Sequence, residues 1–404
     1  MRILHLTTQG EPCGIGDYDS KLRQNLAASG HISEFYRIPL SDFAFATKKD
    51  ISEFFGRFVA HAKTYDAVII EHEYGFFSGP HSLRFGLEIL SKVLNALASQ
   101  KVILISHTDP SLIKMTRRKT LRSLFSSKRR ALGKVVKVVN RAKIKLVVHG
   151  SVARRAWINV GIRPELIENL YIPLELPSEP VNSQVPYDGK RPVCLAMFGF
   201  IGEYKGYQTA LEALNFLPEN FRLLIIGGIH PRANNDFALE KINRFRITGV
   251  WPDDLQITKP VEAINKFEKR ITITGYVAAE KVTEYMKQCD IVLAPYHEGG
   301  PSGSAAVAVG LKSGKPVIAT KTRSFEEIHF QSQGLKMVTP GAPAELALTI
   351  EKLMENPKER AELVEQIYEY GKSRTWSDYI SYLGLIEASP KPHQYGLATS
   401  PVST

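Results

Sequence analysis

The sequence has few cysteines and no long apolar run. Only Cys13, Cys194 and Cys289 occur in 404 residues, and no two of them form a CxxC pair. Neither a disulfide framework nor a cysteine zinc site is therefore expected. No stretch approaches the roughly 20 apolar residues of a membrane span, and the N-terminus lacks the apolar segment of a signal peptide. These absences predict a cytoplasmic protein without a membrane-spanning helix.

Acidic residues are absent between positions 110 and 164, although the formal net charge of the whole chain is only +11. Sixteen lysines and arginines fall in this basic segment, including Lys114, Arg117, Arg118, Arg122, Arg129 and Arg130. Apolar residues lie between them, among them Leu132, Val135, Val136, Val138 and Val139. The pattern predicts an amphipathic surface for anionic lipid headgroups. Nucleic acid is a less favoured partner, because no finger or RNA-binding motif is present and aromatic residues are nearly absent.

The chain is too long for one ordinary core, and its composition is that of a folded protein, with 44% hydrophobic and 23% charged residues. Short β-rich apolar runs alternate with amphipathic segments in both halves, which is typical of α/β proteins with parallel sheets. We predict two Rossmann-like, doubly wound domains that face a cleft. The predicted units are a first domain (1–176), a linker (177–191), a second domain (192–372), a helix crossing back to the first domain (373–386) and a disordered tail (387–404).

Five strands are predicted in each domain. In the first they are residues 2–8, 67–72, 101–107, 146–149 and about 169–172, and in the second 193–199, 222–227, 271–277, 291–295 and 316–319. Residues 229–270 form a long connection that is predicted to carry its own helices.

Ligands of open α/β sheets bind beyond the carboxyl ends of the strands, so the loops there are candidate sites. After the first strand, Gly14 and Gly16 precede a helix predicted to start at Asp17, and glycines let backbone amides approach an anion. A tight turn between the strand and the helix would explain the same glycines without an anion. In the second domain, Gly199 ends a strand and Lys205 precedes a helix, where its ammonium group would neutralise a diphosphate.

A third loop, HEGGPSGS, covers residues 297–304 and leads into a helix of small residues. Its glycines, Gly300 and Gly303 among them, would free the backbone, and Ser302 and Ser304 could cap the helix. Either a capped crossover helix or an anion site explains this composition, and the number of glycines favours the anion site.

These segments together resemble the GT-B glycosyltransferases, and specifically the retaining family called glycosyltransferase family 4. The resemblance covers about residues 1–386. It is carried by CGIGDY, EHEYG, ISHTDP, FGFIGEYKG, ITITGYV, DIVLAPY, PSGSAAVAVGLKSGKPVIAT and TWSDYISYL, in this order along the chain.

The resemblance implies a nucleotide-diphosphate sugar as donor and transfer with retention to a lipid-linked or glycan acceptor. Gly14, Gly16 and Lys205 would contact the donor diphosphate, and His107 would lie beside the transferred sugar. Residues Gly275, Tyr276 and Val277 would frame the nucleotide base. No cofactor or metal is expected, since no DxD motif follows an apolar strand.

The chain also departs from the family pattern. Phe200 stands where many relatives have an arginine, and Pro301 and Val309 occupy the positions of the usual glutamate pair. Glu298 is the candidate substitute for the first glutamate and, with His107 and Lys205, a candidate catalytic residue that would fix sugar hydroxyls. A branch with PY…SG in place of the pair is closer to this sequence. These departures leave open two alternatives, a GT-B protein that binds an anionic partner without catalysis and a sugar-nucleotide epimerase.

Overall fold

Two sheets, each of six parallel strands, are the framework of the computed structural model, which describes residues 1–11, 13–112, 127–176, 186–229, 237–252, 267–297 and 305–385. The predicted pair of doubly wound parallel sheets is confirmed. Helices cover both faces of each sheet, which explains why central strands such as AVIIEH are buried at every position.

The first sheet has the strand order β2-β1-β3-β4-β5-β6. Its strands are β1 (Arg2–Thr7), β2 (Ile32–Arg37), β3 (Ala67–His72), β4 (Lys101–Ser106), β5 (Lys145–Val148) and β6 (Ile167–Asn169). The helices between them are α1 (Gly14–Ala28), α2 (Leu40–Phe43), α3 (Lys48–Ala62), α4 (Tyr74–Ser78), α5 (Leu83–Ala96), α6 (Ser127–Ala142) and α7 (Ser151–Asn159), with short 3-10 helices at Pro110–Leu112 and Pro164–Leu166.

The second sheet has the order β12-β11-β10-β7-β8-β9. Its strands are β7 (Val193–Phe198), β8 (Phe221–Ile226), β9 (Ile271–Ile273), β10 (Ile291–Ala294), β11 (Val317–Thr320) and β12 (Leu335–Val338). After a 3-10 helix at Glu203–Lys205 come α8 (Tyr207–Ala213), α9 (Phe237–Thr248), α10 (Ala279–Lys287), α11 (Ala305–Lys312), α12 (Arg323–Ser332), α13 (Pro343–Glu355), α14 (Pro357–Lys372) and α15 (Trp376–Leu383).

The final helix, α15, packs on the first sheet although it follows the second domain in sequence. Trp376, Tyr379, Ile380 and Leu383 join a buried cluster that contains strand residues such as Ile69. Lysines of the first sheet also bind the C-terminal end of α15. Nζ of Lys101 donates to the carbonyl of Gly384 at 2.5 Å, and Nζ of Lys145 donates to the carbonyl of Tyr382 at 2.8 Å. The first domain is therefore built from two separate stretches of chain.

Several predicted boundaries are wrong. Strands β2 and β12 were not predicted, because β2 is an exposed edge strand and β12 is a short edge strand with only two buried residues. Strand β6 lies at Ile167–Asn169 rather than at 169–172, and β9 ends at Ile273, before a turn at Gly275 with φ of 70°. Of the connection 229–270, the described part contains α9. Most of the predicted linker, residues 230–236 and 253–266 of that connection, and the predicted tail lie outside the described residues.

The basic segment differs from its prediction in one respect. On α6 the apolar residues Leu132, Val135, Val136, Val138 and Val139 are buried in the core of the first domain, and α6 packs closely on α5. They are therefore not available to enter a bilayer. The cations of this helix, Lys128, Arg129, Arg130, Lys134, Lys137 and Arg141, are exposed.

In the part of the chain that the structure describes, no helix is both long and apolar enough to cross a membrane. The three cysteines are free thiols.

We predict that Leu383→Ala destabilises the protein by about 2–5 kcal/mol, because Leu383 is buried between α15 and the first sheet and its loss leaves a cavity. Leu348→Ala is the matched control, since Leu348 on α13 is half exposed and its truncation should change the free energy of unfolding by less than about 0.5 kcal/mol. Denaturant unfolding followed by tryptophan fluorescence measures both. Equal effects of the two variants would contradict the docking of α15.

Candidate active site

Three histidines stand where neighbouring strands of the first sheet end. His72 ends β3, His107 follows β4 and His149 follows β5. Because parallel strands bring their carboxyl ends to one edge, these side chains come together. The ring centroids of His107 and His149 are 5.1 Å apart, and the Tyr18 ring of α1 meets both edge-on at 5.1 and 5.5 Å.

All three imidazoles are poor bases in this environment. Burial lowers the pKa of His72 to about 3 and that of His149 to about 4. The pKa of His107 is lowered well below its ordinary value by burial, and further by His149 and His72. His149 donates from Nδ1 to the carbonyl of Leu170 at 2.8 Å. The edge of the first sheet thus presents three uncharged imidazole rings, which form hydrogen bonds but carry no positive charge that would attract an anion.

Glu71 lies beneath His107. Its Oε2 is 2.6 Å from Nε2 of His107, and its Oε1 has no hydrogen-bond partner among the described residues. The side chain is fully buried in β3. Burial raises the pKa of Glu71 well above its usual value, and Asp19 and Cys13 raise it further. Sequence reasoning missed this residue, although a glutamate inside the apolar run AVIIEH was a visible signal.

A second buried pair lies deeper in the first domain. His5 and Asp19 are joined by a hydrogen bond of 2.5 Å between Nδ1 and Oδ1, while Oδ2 of Asp19 accepts from Arg23 at 3.0 Å and Nε2 of His5 contacts Ser33 Oγ at 2.9 Å. With Glu71, these two residues are the one group of described side chains close enough to share a metal ion. The polar atoms of His5 and Asp19 are already engaged with one another, with Arg23 and with Ser33, which does not fit a metal centre, whereas Oε1 of Glu71 has no partner among the described residues. That no metal is needed stays a prediction.

Lys205 occupies the corresponding edge of the second sheet. It closes the 3-10 helix after β7, and its side chain is buried. Nζ donates to the carbonyl of Phe198 at 3.2 Å and to the hydroxyl of Tyr296 at 3.0 Å, and these are its hydrogen bonds within the described residues. Since an ammonium group has three donors, the third has no hydrogen-bond acceptor among the described residues, and the rings of Tyr204 and Tyr296 lie 5.7 and 5.2 Å from Nζ. Burial lowers the pKa of Lys205.

Glycines bring the strand ends of the second sheet into direct backbone contact. Gly206, at the start of α8, has φ of 71°, and a Cβ there would lie 1.8 Å from the carbonyl oxygen of Pro295. At the end of β8, Gly227 has φ of 150°, and a Cβ would lie 2.2 Å from the carbonyl oxygen of Gly199. Side chains are therefore excluded from this part of the edge, and backbone groups form it.

The turn after β9 contains the predicted base-framing residues Gly275, Tyr276 and Val277. Tyr276 is 57% exposed, and its ring stacks on that of Phe200 with centroids 6.4 Å apart and planes 14° apart. Phe200, which replaces the family's arginine, is thus part of an aromatic pair rather than a cationic contact.

The start of α1 faces this turn across the cleft. Burial raises the pKa of Asp17, and the nearby carboxylate of Glu280 on α10 raises it further. Burial also raises the pKa of Tyr276, with smaller contributions from Asp17 and Cys13. These interactions bring the first glycine segment and the base-framing turn, which were predicted independently, to opposite sides of one cleft.

The position of the first glycines corrects the sequence prediction. Helix α1 begins at Gly14 and not at Asp17, so Gly14 and Gly16 lie in its first turn rather than in a loop before it. A Cβ at Gly16 would lie 3.0 Å from the carbonyl oxygen of Thr8. The glycine thus lets the helix start close to the end of β1.

Several predicted site residues cannot be placed. Glu298, Gly300, Ser302, Gly303 and Ser304 lie outside the described residues, as do Lys114, Arg117, Arg118 and Arg122.

One contact between the domains was not predicted. Both carboxylate oxygens of Glu327 on α12 accept from the backbone amide of Ser151 at 2.9 Å, and Glu327 also accepts from the hydroxyl of Tyr171. Ser151 is the first residue of α7, whose N-cap Gly150 supplies no side-chain hydrogen bond. A carboxylate from the second domain therefore caps a helix of the first, beside the His149 edge.

Residues 191–356 match the family model described as glycosyl transferases group 1. The match spans the second domain from β7 to α13, which is less than half of the chain. A search of curated protein sequences finds no significant match.

Solved structures resemble the chain over almost its whole length. HepE from Anabaena, solved with UDP and with UDP-glucose, is 16% identical, with 95% of this chain and 98% of that chain covered and a TM-score of 0.64. Sucrose-phosphate synthase from Thermosynechococcus elongatus is 16% identical over 95% and 97% of the two chains, with a TM-score of 0.66. WaaG, a glycosyltransferase involved in lipopolysaccharide biosynthesis, is 14% identical over 96% and 99%, with a TM-score of 0.61. The chain thus has the GT-B fold, as the resemblance in its sequence indicated.

We predict that Gly206→Ala sharply lowers the thermal stability or the soluble yield, because the new methyl group would overlap the carbonyl of Pro295 and the residue would be strained at positive φ. Gly133→Ala is the matched control. Gly133 lies within α6, where a Cβ would meet no atom within 4 Å, so alanine should leave stability unchanged or raise it by about 0.5–1 kcal/mol. Similar melting curves for both variants would contradict the close backbone approach at Gly206.

Proposed function

We propose that the chain transfers a sugar from a nucleotide-diphosphate sugar, with UDP- and GDP-sugars as the donor class, to a lipid-linked or glycan acceptor with retention at the anomeric carbon. The observation that carries this proposal is Lys205, a buried ammonium group at the carboxyl edge of the second sheet with one donor that has no acceptor among the described residues. The match to the group 1 family model and the UDP-glucose bound to HepE support the donor class.

Lys205 would stabilise the departing diphosphate. A buried cation costs desolvation free energy before any ligand arrives, and an anionic diphosphate would restore favourable interactions in a site of low polarity. The first turn of α1, which contains Gly14 and Gly16, would add backbone amides and the positive end of the helix from the other domain. Tyr276 and Phe200 would provide an aromatic surface for the nucleotide base.

The chemical step would follow a front-face route. The bond between the anomeric carbon and the diphosphate oxygen breaks, and its electron pair leaves with the diphosphate. The acceptor hydroxyl attacks the same face and passes its proton to the departing diphosphate. His107, which is neutral, would form a hydrogen bond to a sugar hydroxyl and hold the sugar in place while positive charge develops on it.

The exposed cations of α6 support an anionic membrane surface as the place of the acceptor. They lie on the solvent face of a helix whose apolar face is buried, so contact with lipid would be electrostatic rather than insertional.

The proposed donor is tested by thermal shift with a panel of UDP- and GDP-sugars, followed by release of the nucleotide diphosphate in the presence of membrane extract. A donor that binds the native state raises the melting temperature. We expect Lys205→Met to lower kcat by about 10²–10³ while the melting temperature of the free protein is kept or raised. Lys287→Met, at an exposed position on α10, is the control and should be fully active.

No stabilisation by any donor and no diphosphate release above background would reject a glycosyltransferase activity. Full activity of Lys205→Met would reject the role of this lysine alone. Epimerised donor without transfer would favour the epimerase.

The membrane surface is tested by vesicle sedimentation. We expect binding to vesicles that contain phosphatidylglycerol, weaker binding at high salt and none to phosphatidylcholine alone. The double variant Lys134→Glu, Lys137→Glu on α6 should reduce binding strongly. Lys63→Glu, Lys287→Glu makes the same charge change at exposed positions elsewhere and should reduce it far less. Equal losses would indicate a response to net charge and not to this helix.

A further inference from the structure

We propose that Glu71 carries a proton in the native protein and donates it to Nε2 of His107, which fixes this ring in the tautomer that presents Nδ1–H to the cleft. Glu71 is then a positioning residue, since it acts through His107. The value of this tautomer for sugar transfer rests on the proposed function, whereas the protonation itself does not.

The surroundings of Glu71 disfavour a carboxylate. Its side chain is fully buried, one oxygen contacts His107 and the other has no partner in the described part of the chain. No lysine or arginine of the described residues forms an ion pair with it, and Arg23, the nearby cation, is paired with Asp19. An ionised group with an unsatisfied oxygen would lose its hydration without compensation, whereas a neutral acid loses much less.

The proton between Glu71 and His107 could also lie on the ring as part of a buried ion pair. Burial opposes a positive charge on His107, and the neighbouring His149 and His72 oppose it further. Asp19 and burial oppose a negative charge on Glu71. Because each partner is more stable when neutral, the proton stays on the carboxyl group, and Nε2 accepts a hydrogen bond from this O–H.

Several elements pack around Glu71 and His107, and they contribute the titratable groups that face this pair. These groups are His5 on β1, Cys13 before α1, Tyr18 and Asp19 on α1, His72 on β3, His149 after β5 and Tyr379 on α15. Asp19 is the acidic side chain among them, and it is bonded to His5 and to Arg23. Apart from His107, no group in this set forms an ion pair with Glu71.

The tautomer has a chemical consequence for the cleft. With Nε2 occupied as an acceptor, Nδ1 of His107 is a donor, and Nδ1 makes no hydrogen bond within the described residues. A donor selects an oxygen with a free lone pair, which every sugar hydroxyl offers. His107 would therefore bind a hydroxyl as its donor over the whole pH range in which Glu71 stays protonated.

The direct test is the ring tautomer, read from long-range 1H–15N correlation spectra of the protein labelled at histidine, with His107→Gln used to assign the signals. We expect the Nδ1–H tautomer in the wild type and in Glu71→Gln, because an amide N–H also donates to Nε2. Glu71→Met removes the donor without shrinking the side chain, and a mixture of tautomers is expected. An Nε2–H tautomer or an imidazolium in the wild type would overturn the proposal.

Thermal unfolding provides a second measurement that needs no substrate. A carboxyl group with a raised folded-state pKa takes up a proton on folding, so the wild type loses stability as pH rises above the unfolded-state value, and glutamine does not. The melting temperature of Glu71→Gln relative to the wild type should therefore increase from about pH 5.5 to about pH 8.5. A difference independent of pH would contradict a protonated Glu71, and this readout does not depend on transferase activity.

Kinetics then connects the tautomer to catalysis. Glu71→Gln should keep kcat within about threefold, and Glu71→Met should lose about tenfold, as expected for one hydrogen bond weakened in the transition state. The donor KM should change less than kcat in both variants. If the wild type shows the predicted tautomer but no transferase activity, the proposed function is rejected and the proposed protonation of Glu71 still stands. Equal kcat values for the two variants would reject the positioning role.

Discussion

The parallel direction of every described strand is the constraint on which the site depends. In both sheets the carboxyl ends lie at a single edge, so each loop that leaves a strand opens at the same place. His72, His107 and His149 come from three separate strands of the first sheet and still meet there. Lys205 and Gly275 follow strands of the second sheet and reach its edge in the same way. The chemistry of the cleft is therefore assembled by topology from residues far apart in sequence.

The carboxyl edges of the two sheets present different chemical groups. The first presents buried neutral rings supported by a carboxyl group, whereas the second presents backbone, one aromatic pair and the buried ammonium of Lys205. Neutral hydrogen-bonding groups suit the uncharged hydroxyl groups of a sugar, since each hydroxyl both donates and accepts a hydrogen bond. A cation suits the negative charge of a diphosphate. The different polarity of the two edges thus follows from which side chains each sheet buries there, and it is the basis of the proposed separation between donor phosphates and transferred sugar.

The sequence predicted the features with a strong local signal. Buried central strands, such as β3 and β4, read as apolar β-branched runs, and the two-domain parallel fold followed from their alternation with helices. Edge strand β2 carries no such run, because solvent covers one side of it. The apolar residues of α6 could not be assigned to core or membrane, since both environments accept the same pattern. Glu71 and Glu327 act through contacts 36 and 176 residues away, which no local pattern encodes.

The return of α15 to the first sheet affects the order in which the molecule can form. Lys101 contacts Gly384 across 283 residues, and Trp376 completes the layer that covers Ile69 and Ile105. During synthesis the first domain leaves the ribosome long before this helix exists, with an apolar face of its sheet still uncovered. The second domain, by contrast, has all its strands once residue 338 has been made. The half that is translated first is therefore the half whose core closes last, since its first sheet stays partly uncovered until residues 376–385 have been made.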